Sequence, residues 1–287
     1  MIVLLSTAVG HLWFRRGAEA REDPIAGDLA TAVISYAERL YQPQRYAALV
    51  HLRNNISETL HILGFHQMRI RLGELALSAA TVLQDDAAKA WILTDDLGWA
   101  YYILRDKATA LKNIERAIEV VGEAASPSDS ESLSLATCQA KALRHKALIG
   151  YADEAHSSRL LAEAQNVLQV LPKSPSAIRE FAQLHHARAL AIAMRLGVHK
   201  EGFIREGDSV ASRNLDEALS CAKLAARDFQ AIKDTARHTK TLFLIVRLLE
   251  AKRAEPEARE ARILRDQALA QSAWITEQGI ATITGAE

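Results

Sequence analysis

The stretch Leu97-Gly98-Trp99-Ala100-Tyr101-Tyr102 decides how this chain folds, and Ala110 and Ala117 follow it after a short polar break. A leucine beside a glycine, an aromatic residue three positions later and alanines seven apart on a second segment are what two closely packed antiparallel helices require. The absent side chain at Gly98 lets the second helix approach, and Tyr101 fills the space beside it. The stretch therefore predicts a helical hairpin.

Composition extends the helical prediction to the whole chain. Of the 287 residues 49% are apolar, while only six are proline and thirteen are glycine, a balance that favours helices and leaves little material for turns. Between the breakers, apolar residues recur at three- and four-residue spacing. About twelve helices are expected, with almost no strand. Their predicted spans are 1–16, 27–41, 43–63, 66–83, 86–104, 107–123, 130–149, 153–171, 175–196, 210–232, 234–252 and 255–278.

Prolines and glycines set several of these boundaries. Pro43 is placed in the first turn of its helix, where proline is accepted, and Pro175 restarts a helix after an irregular segment. The loop at 126–130 supplies N-cap residues for the helix that follows. The stretch 197–209 contains three glycines and mixed charge, and it is predicted to be the longest irregular insertion.

Charge and cysteine content exclude several classes of function. Lys+Arg and Asp+Glu number 35 each, so no global field attracts nucleic acid or an anionic membrane. Cys138 and Cys221 are isolated, which argues against a structural zinc site or a disulfide framework and favours a reducing cytoplasm. The apolar run 2–14 is too short to span a membrane. It is predicted to be a buried first helix, with a signal or anchor as the alternative.

Two successive hairpins share a pattern at an offset of 41 residues. The corresponding positions are Ile56 with Leu97, Ser57 with Gly98, Leu60 with Tyr101, Gly64 with Arg105, Gly73 with Ile114 and Ala76 with Ala117. This agreement of small and apolar positions indicates a repeated structural unit. Because such positions govern close packing, we expect a bulky substitute at Gly98 or Ala117 to cost about 1–3 kcal/mol.

At these residues the sequence resembles the tetratricopeptide repeat (TPR) family, closely over 91–124, less closely over 50–83 and remotely over 130–171. The offset exceeds the roughly 34 residues of a TPR unit, so longer helices or padded loops are expected. The resemblance implies an all-α, right-handed superhelical solenoid of antiparallel helical hairpins over 1–287. Its expected parts are N-terminal helices in 1–41, the best-matching repeats in 43–171 and divergent hairpins in 175–287.

Two sequence segments suggest a narrower resemblance. His11–Gly17 and Arg69–Ala76 look like segments of the TPR sensor regions that are attached to bacterial STAND (NB-ARC-type) ATPases. The nucleotide-binding motif GxxxxGK[ST] occurs nowhere in the chain, so ATP hydrolysis is not carried over. The resemblance implies a sensor or adaptor in bacterial regulatory or defence signalling.

The sequence contains no recognisable group of catalytic or metal-binding residues. His61 and His66 flank a predicted turn without a metal-binding motif, and they are interpreted as surface or packing histidines. Asp95 and Asp96 are adjacent, so their side chains diverge around a helix and are expected to be solvated or to face a groove. We therefore predict that the chain is not an enzyme and binds neither metal nor cofactor.

The resemblance also implies which residues meet a partner, because the first helix of each TPR hairpin lines the concave surface. With Gly98 at the small-residue position, the expected partner-binding residues are His51, Asn54, Glu58, His61, Asp95, Trp99, Tyr102, Lys141, Arg144 and His145. Aromatic side chains offer contact area at low entropy cost, and the polar ones fix orientation. The alternative is that Trp99 and Tyr102 pack against the neighbouring hairpin.

These observations predict a cytoplasmic protein–protein interaction scaffold, sensor or adaptor that binds a protein or peptide on its concave surface. The alternative is a ligand-gated regulator that binds a signalling peptide or small molecule and controls an effector. Neither interpretation involves a membrane. Nucleic acid is not the expected partner, because the basic clusters are short and lack interleaved aromatics.

Overall fold

The computed structural model describes residues 24–62, 64–124, 129–198 and 209–271, and within them it contains eleven helices and no strand. The helices are α1 (Pro24–Tyr41), α2 (Tyr46–Ile62), α3 (His66–Leu83), α4 (Asp86–Trp91, Ile92–Trp99 and Ala100–Ile103), α5 (Lys107–Glu123), α6 (Asp129–Ile149), α7 (Glu154–Gln169), α8 (Pro175–Arg195), α9 (Ser209–Ala231), α10 (Thr235–Ala251) and α11 (Glu255–Gln271). The prediction of an all-α fold is confirmed, and the helices are consistent with an α-solenoid. The handedness of a superhelix stays a prediction.

The chain forms two compact units, which divide within α6 between His145 and Lys146. In the first unit, an apolar core runs through α1 to α4 and includes the fully buried Leu49, Leu60 and Ile92. In the second unit, residues of α8 to α11 form a separate core. The expected single solenoid over 1–287 stays a prediction.

Capping by aspartate explains where four of the helices begin. The side chains of Asp85, Asp106, Asp153 and Asp234 each accept a hydrogen bond from the backbone N–H three residues later, at 2.8 to 3.3 Å. This contact satisfies a donor that an uncapped helix leaves open. Before three of these caps the backbone turns through the left-handed region, at Gln84, Arg105 and Lys233. This arrangement produces tight connections between consecutive helices.

The structure treats Pro175 and Pro43, two prolines predicted to begin helices, differently. Pro175 starts α8 as predicted, and Ser174 caps that helix by accepting a hydrogen bond from the backbone N–H of Ala177 at 3.1 Å. The prediction for Pro43 is wrong, because α2 begins only at Tyr46. Pro43 lies instead in the preceding turn, where Gln44 has a φ of 58°.

Several expectations lie outside the described residues. They concern the helix over 1–16, the segment 11–17 that resembles TPR sensor regions, most of the loop at 126–130, the centre of the insertion at 197–209 and the end of the last helix over 272–278. Among the described helices, none is both long enough and apolar enough to cross a bilayer.

Candidate functional site

The middle of α4 is a π-helix over Ile92–Trp99, where the sequence predicts a continuous α-helix. A π-helical segment widens the turn by one residue and is frequent at functional sites. Two glycines bring neighbouring helices against it. A Cβ on Gly98 would lie 2.6 Å from Cγ1 of Ile114 on α5, and one on Gly73 of α3 would lie 2.7 Å from Cβ of Asp96. The close-packing role predicted for Gly98 is confirmed.

On one side of this segment, Asp96 is fully buried in a polar network that joins three helices. Arg53 Nε donates to Oδ2 of Asp96, and Ser57 Oγ donates to Oδ1. From α3, Arg69 Nε donates to Asp96 Oδ1 and to Ser57 Oγ, both at 3.0 Å. The expectation that Asp96 is solvated or faces a groove is therefore wrong. The carboxylate instead links α2 and α3 to α4.

Sequence reasoning missed Arg53, Ser57 and Arg69, although a signal was present. On α2, Leu49, Arg53 and Leu60 share one helical face, so an arginine interrupts an apolar stripe. A charged residue on a buried face requires a partner of opposite charge. The stripe thus predicts a buried carboxylate on a neighbouring helix, but it does not say which one.

Asp95 points to the other side of α4, toward α6. Lys141 Nζ lies 2.8 Å from its carboxylate, and the two side chains are 17% and 16% exposed. Burial opposes ionisation of Asp95, but the charges of Lys141 and then Arg69 outweigh burial and hold the pKa of Asp95 well below its usual range. Lys141 Nζ also lies 5.0 Å from the ring centroid of Trp91, within cation–π distance. The divergence predicted for the two aspartates is confirmed.

An aromatic stack continues along the same side of α4. The rings of Trp99 and His145 are stacked with centroids 4.3 Å apart, and Tyr102 lies 5.1 Å from Trp99. Trp99 and Tyr102 are half-buried, whereas Tyr101 packs against the apolar core. Burial, followed by the charges of Arg144 and Lys141, lowers the pKa of His145 well below its usual value. Near neutral pH the ring of His145 is therefore uncharged.

Five of the predicted site residues thus come together on α4 and α6, namely Asp95, Trp99, Tyr102, Lys141 and His145. On α2, Asn54 is linked to α4 through Arg53, whose Nη1 donates to Asn54 Oδ1 at 3.0 Å and whose Nη2 donates to the Trp91 carbonyl at 3.2 Å. His51 and Glu58 share the helical face of Asn54. We call these residues of α2, α4 and α6 the inner face. Its members are His51, Asn54, Glu58, Asp95, Trp99, Tyr102, Lys141 and His145.

The members of the inner face differ in exposure. His51, Asn54 and Glu58 are exposed, whereas His145 is buried. Two further predicted residues are not counted among the members of the inner face. His61 is half-buried with its ring 5.7 Å from that of His66, and Arg144 is buried at 4% exposed. A binding role for these residues stays a prediction.

The side chains around α4 include a buried thiol, half-buried aromatic rings and an ion pair. Burial raises the pKa of Cys138 to about 12, so this thiol stays protonated near neutral pH, with its sulfur 3.5 Å from Thr94 Oγ1. In the described part of the chain, no three His, Cys, Asp or Glu side chains are grouped so that they could hold a metal ion. The inner face offers instead half-buried aromatic rings, an ion pair and exposed polar groups.

Comparisons with known proteins add no family assignment. No protein-family model matches the chain, and no curated protein matches it.

Proposed function

We propose that this protein is a protein–protein interaction scaffold or adaptor that binds a protein or peptide partner along the inner face. The observation that carries the proposal is the half-buried Trp99–Tyr102 pair, in which Trp99 is stacked on His145, with the Asp95–Lys141 ion pair beside it. Rigid aromatic side chains provide contact area at low entropy cost and dominate many binding interfaces. Exposed polar groups on α2 supply the hydrogen-bonding rim that such an interface needs.

The Asp96 network supports the proposal, because it holds the recognition elements in place. Arg53 and Arg69 fix the π-helical segment from one side, while Asp95 and Trp99 present their side chains on the other. A preorganised surface loses little entropy on binding. Strong internal anchoring of a partly exposed recognition surface is therefore consistent with a binding module.

The cellular context of the proposal comes from sequence features. The resemblance to TPR sensor regions of bacterial STAND proteins favours a regulatory or defence signalling complex. Cys138 and Cys221 are both free thiols, as expected of a protein in a reducing cytoplasm. We therefore propose a cytoplasmic adaptor that recognises a bacterial protein or peptide.

Affinity capture from an extract of the native organism, followed by a binding measurement with the captured partner, tests the proposal. His51→Ala, Asn54→Ala and Glu58→Ala are combined in one variant, because these residues are exposed and their removal leaves the core intact. We expect the partner's Kd to rise at least tenfold. The matched control combines Lys112→Ala, Arg116→Ala and Glu119→Ala on the exposed side of α5, and it should leave the Kd unchanged.

A Trp99→Ala variant distinguishes contact from packing. Weaker partner binding with an unchanged Tm supports the proposal, whereas a loss of about 3–5 kcal/mol of stability assigns Trp99 to packing. The proposal fails if the intact protein captures no partner. It also fails if the α2 and α5 variants bind the captured partner equally well.

A further inference from the structure

Among the exposed polar side chains of the inner face, Asn54 is held by the buried network around α4. Arg53 Nη1 donates to Asn54 Oδ1 at 3.0 Å. The guanidinium of Arg53 is itself fixed, because its Nε donates to the buried carboxylate of Asp96 and its Nη2 donates to the Trp91 carbonyl at 3.2 Å. A continuous chain of hydrogen bonds therefore runs from Asp96 in the core through Arg53 to Asn54 at the surface.

The contact with Arg53 determines which way the side-chain amide of Asn54 points. A guanidinium has five N–H donors and no acceptor, so only the oxygen of the amide can face it. The Nδ2 group, with its two N–H donors, lies on the other branch of the amide. It has no hydrogen-bond acceptor within the part of the chain that the structure describes, and Asn54 is exposed. Asn54 therefore presents an oriented pair of donors at the inner face.

The neighbouring residue Asn55 provides a contrast on the same helix. It is also exposed, and its Nδ2 donates to the backbone carbonyl of His51, one turn earlier in α2, at 2.7 Å. Such local contacts between an asparagine and its own backbone are common. A donor of Asn55 is thus used within α2, whereas both donors of Asn54 remain available to a partner.

The surroundings limit the kind of acceptor that Asn54 can bind. Glu58 lies one helical turn away on α2 and is also exposed, so its charge disfavours an anionic group beside Asn54. The charge of Arg53 does not offset this effect, because it is paired with Asp96. A neutral carbonyl therefore fits better than a carboxylate. Every residue of a peptide carries such a carbonyl in its main chain.

We propose that Asn54 is a specificity-determining residue of the inner face and donates to a main-chain carbonyl of the bound protein or peptide. Arg53 is a positioning residue, because it holds the amide in the donating orientation while remaining buried itself. The inference deepens the proposed function and rests on it. An amide that is oriented before binding loses little rotamer entropy when the partner binds.

The isosteric change Asn54→Asp tests this inference. The new carboxylate still accepts a hydrogen bond from Arg53, so the Tm should not fall, but it offers the partner no donor. Calorimetric titration with the partner that the intact protein captures should give a Kd raised by about tenfold or more. Asn54→Ala should raise the Kd less, because alanine removes the donors without adding an opposing oxygen. Asn55→Asp is the matched control, since it adds the same charge at the next exposed position, and it should leave the Kd unchanged.

The order of these Kd values decides whether the partner supplies an acceptor. The inference is overturned if Asn54→Asp binds the partner as tightly as Asn54→Ala does, or more tightly. It is also overturned if Asn54→Asp and Asn55→Asp raise the Kd equally, which would be an effect of charge alone. A lower Kd for Glu58→Gln would assign the acceptor as a carboxylate and overturn the main-chain carbonyl. If the intact protein captures no partner, the proposed function fails and this inference with it, whereas any of the other results refutes the inference alone.

Discussion

Replacement of Asp96 by asparagine tests the central claim about the fold, that one buried carboxylate joins three helices. Asp96 is 0% exposed and accepts hydrogen bonds from Arg53, Ser57 and Arg69. The amide has nearly the same size, so the variant creates no cavity. It removes the negative charge and leaves two guanidinium groups buried without compensation.

The expected magnitude follows from this burial. Removing one partner of a buried ion pair costs about 3–5 kcal/mol, because the remaining charge stays desolvated. The adjacent residue provides a matched control. Asp95 forms an ion pair with Lys141 and is also influenced by the charge of Arg69, but the side chains of Asp95 and Lys141 keep some contact with water. Asp95→Asn should therefore cost less than half as much, about 1–2 kcal/mol.

Urea unfolding followed by far-UV circular dichroism measures both variants, since urea carries no charge that would screen the ion pairs. Trp91 and Trp99 lie on α4, so tryptophan fluorescence provides a signal local to α4 in a background in which Trp13 and Trp274 are replaced by phenylalanine. The reasoning is refuted if Asp96→Asn lowers the free energy of unfolding by less than about 1 kcal/mol. Equal losses for Asp96→Asn and Asp95→Asn would refute it as well.

Two further predictions concern packing and pH. Gly98→Ala should lower stability by about 1–3 kcal/mol, because the new Cβ would lie 2.6 Å from Cγ1 of Ile114 and 2.9 Å from the Leu93 carbonyl. Gly122→Ala on α5 is the control. It should raise stability by up to about 1 kcal/mol, since nothing lies within 4 Å of a Cβ added at Gly122. Equal thermal denaturation of the two variants would contradict the packing argument. Burial lowers the pKa of His145 in the folded state, whereas the unfolded chain takes up this proton near pH 6.5, so stability should fall as the pH drops below that value. His145→Gln should reduce the slope of stability against pH between about 6 and 5 by up to about 1.4 kcal/mol per pH unit, and an unchanged slope in urea unfolding would exclude His145 as its source.

The repeat pattern shows how much of the fold could be predicted locally. Gly64 and Arg105, which the offset of 41 residues places in correspondence, both adopt the left-handed backbone conformation, with φ of 76° and 69°. Ala76 and Ala117, the corresponding small residues of the second helices, are both fully buried. These positions depend on turn chemistry and on helical periodicity, which are properties of neighbouring residues.

The candidate site was predictable only in part. The divergence of Asp95 and Asp96 follows from helical geometry, and so does the common side of Asp95, Trp99 and Tyr102 on α4. Helical geometry alone did not reveal that the segment Ile92–Trp99 is a π-helix. Nor did it reveal that Asp96 is the partner of Arg53, because that assignment requires the helices to be packed.

The sequence by itself determined the helices and most of their ends, because capping residues, prolines and apolar periodicity act within a few residues. Tertiary structure decided which charges meet. Asp96 pairs with residues 27 and 43 positions away, and Asp95 with a residue 46 positions away. Burial and charge pairing depend on neighbours in space, so the stretch from Leu97 to Tyr102 indicated a hairpin, while packing made α4 the centre of the candidate site.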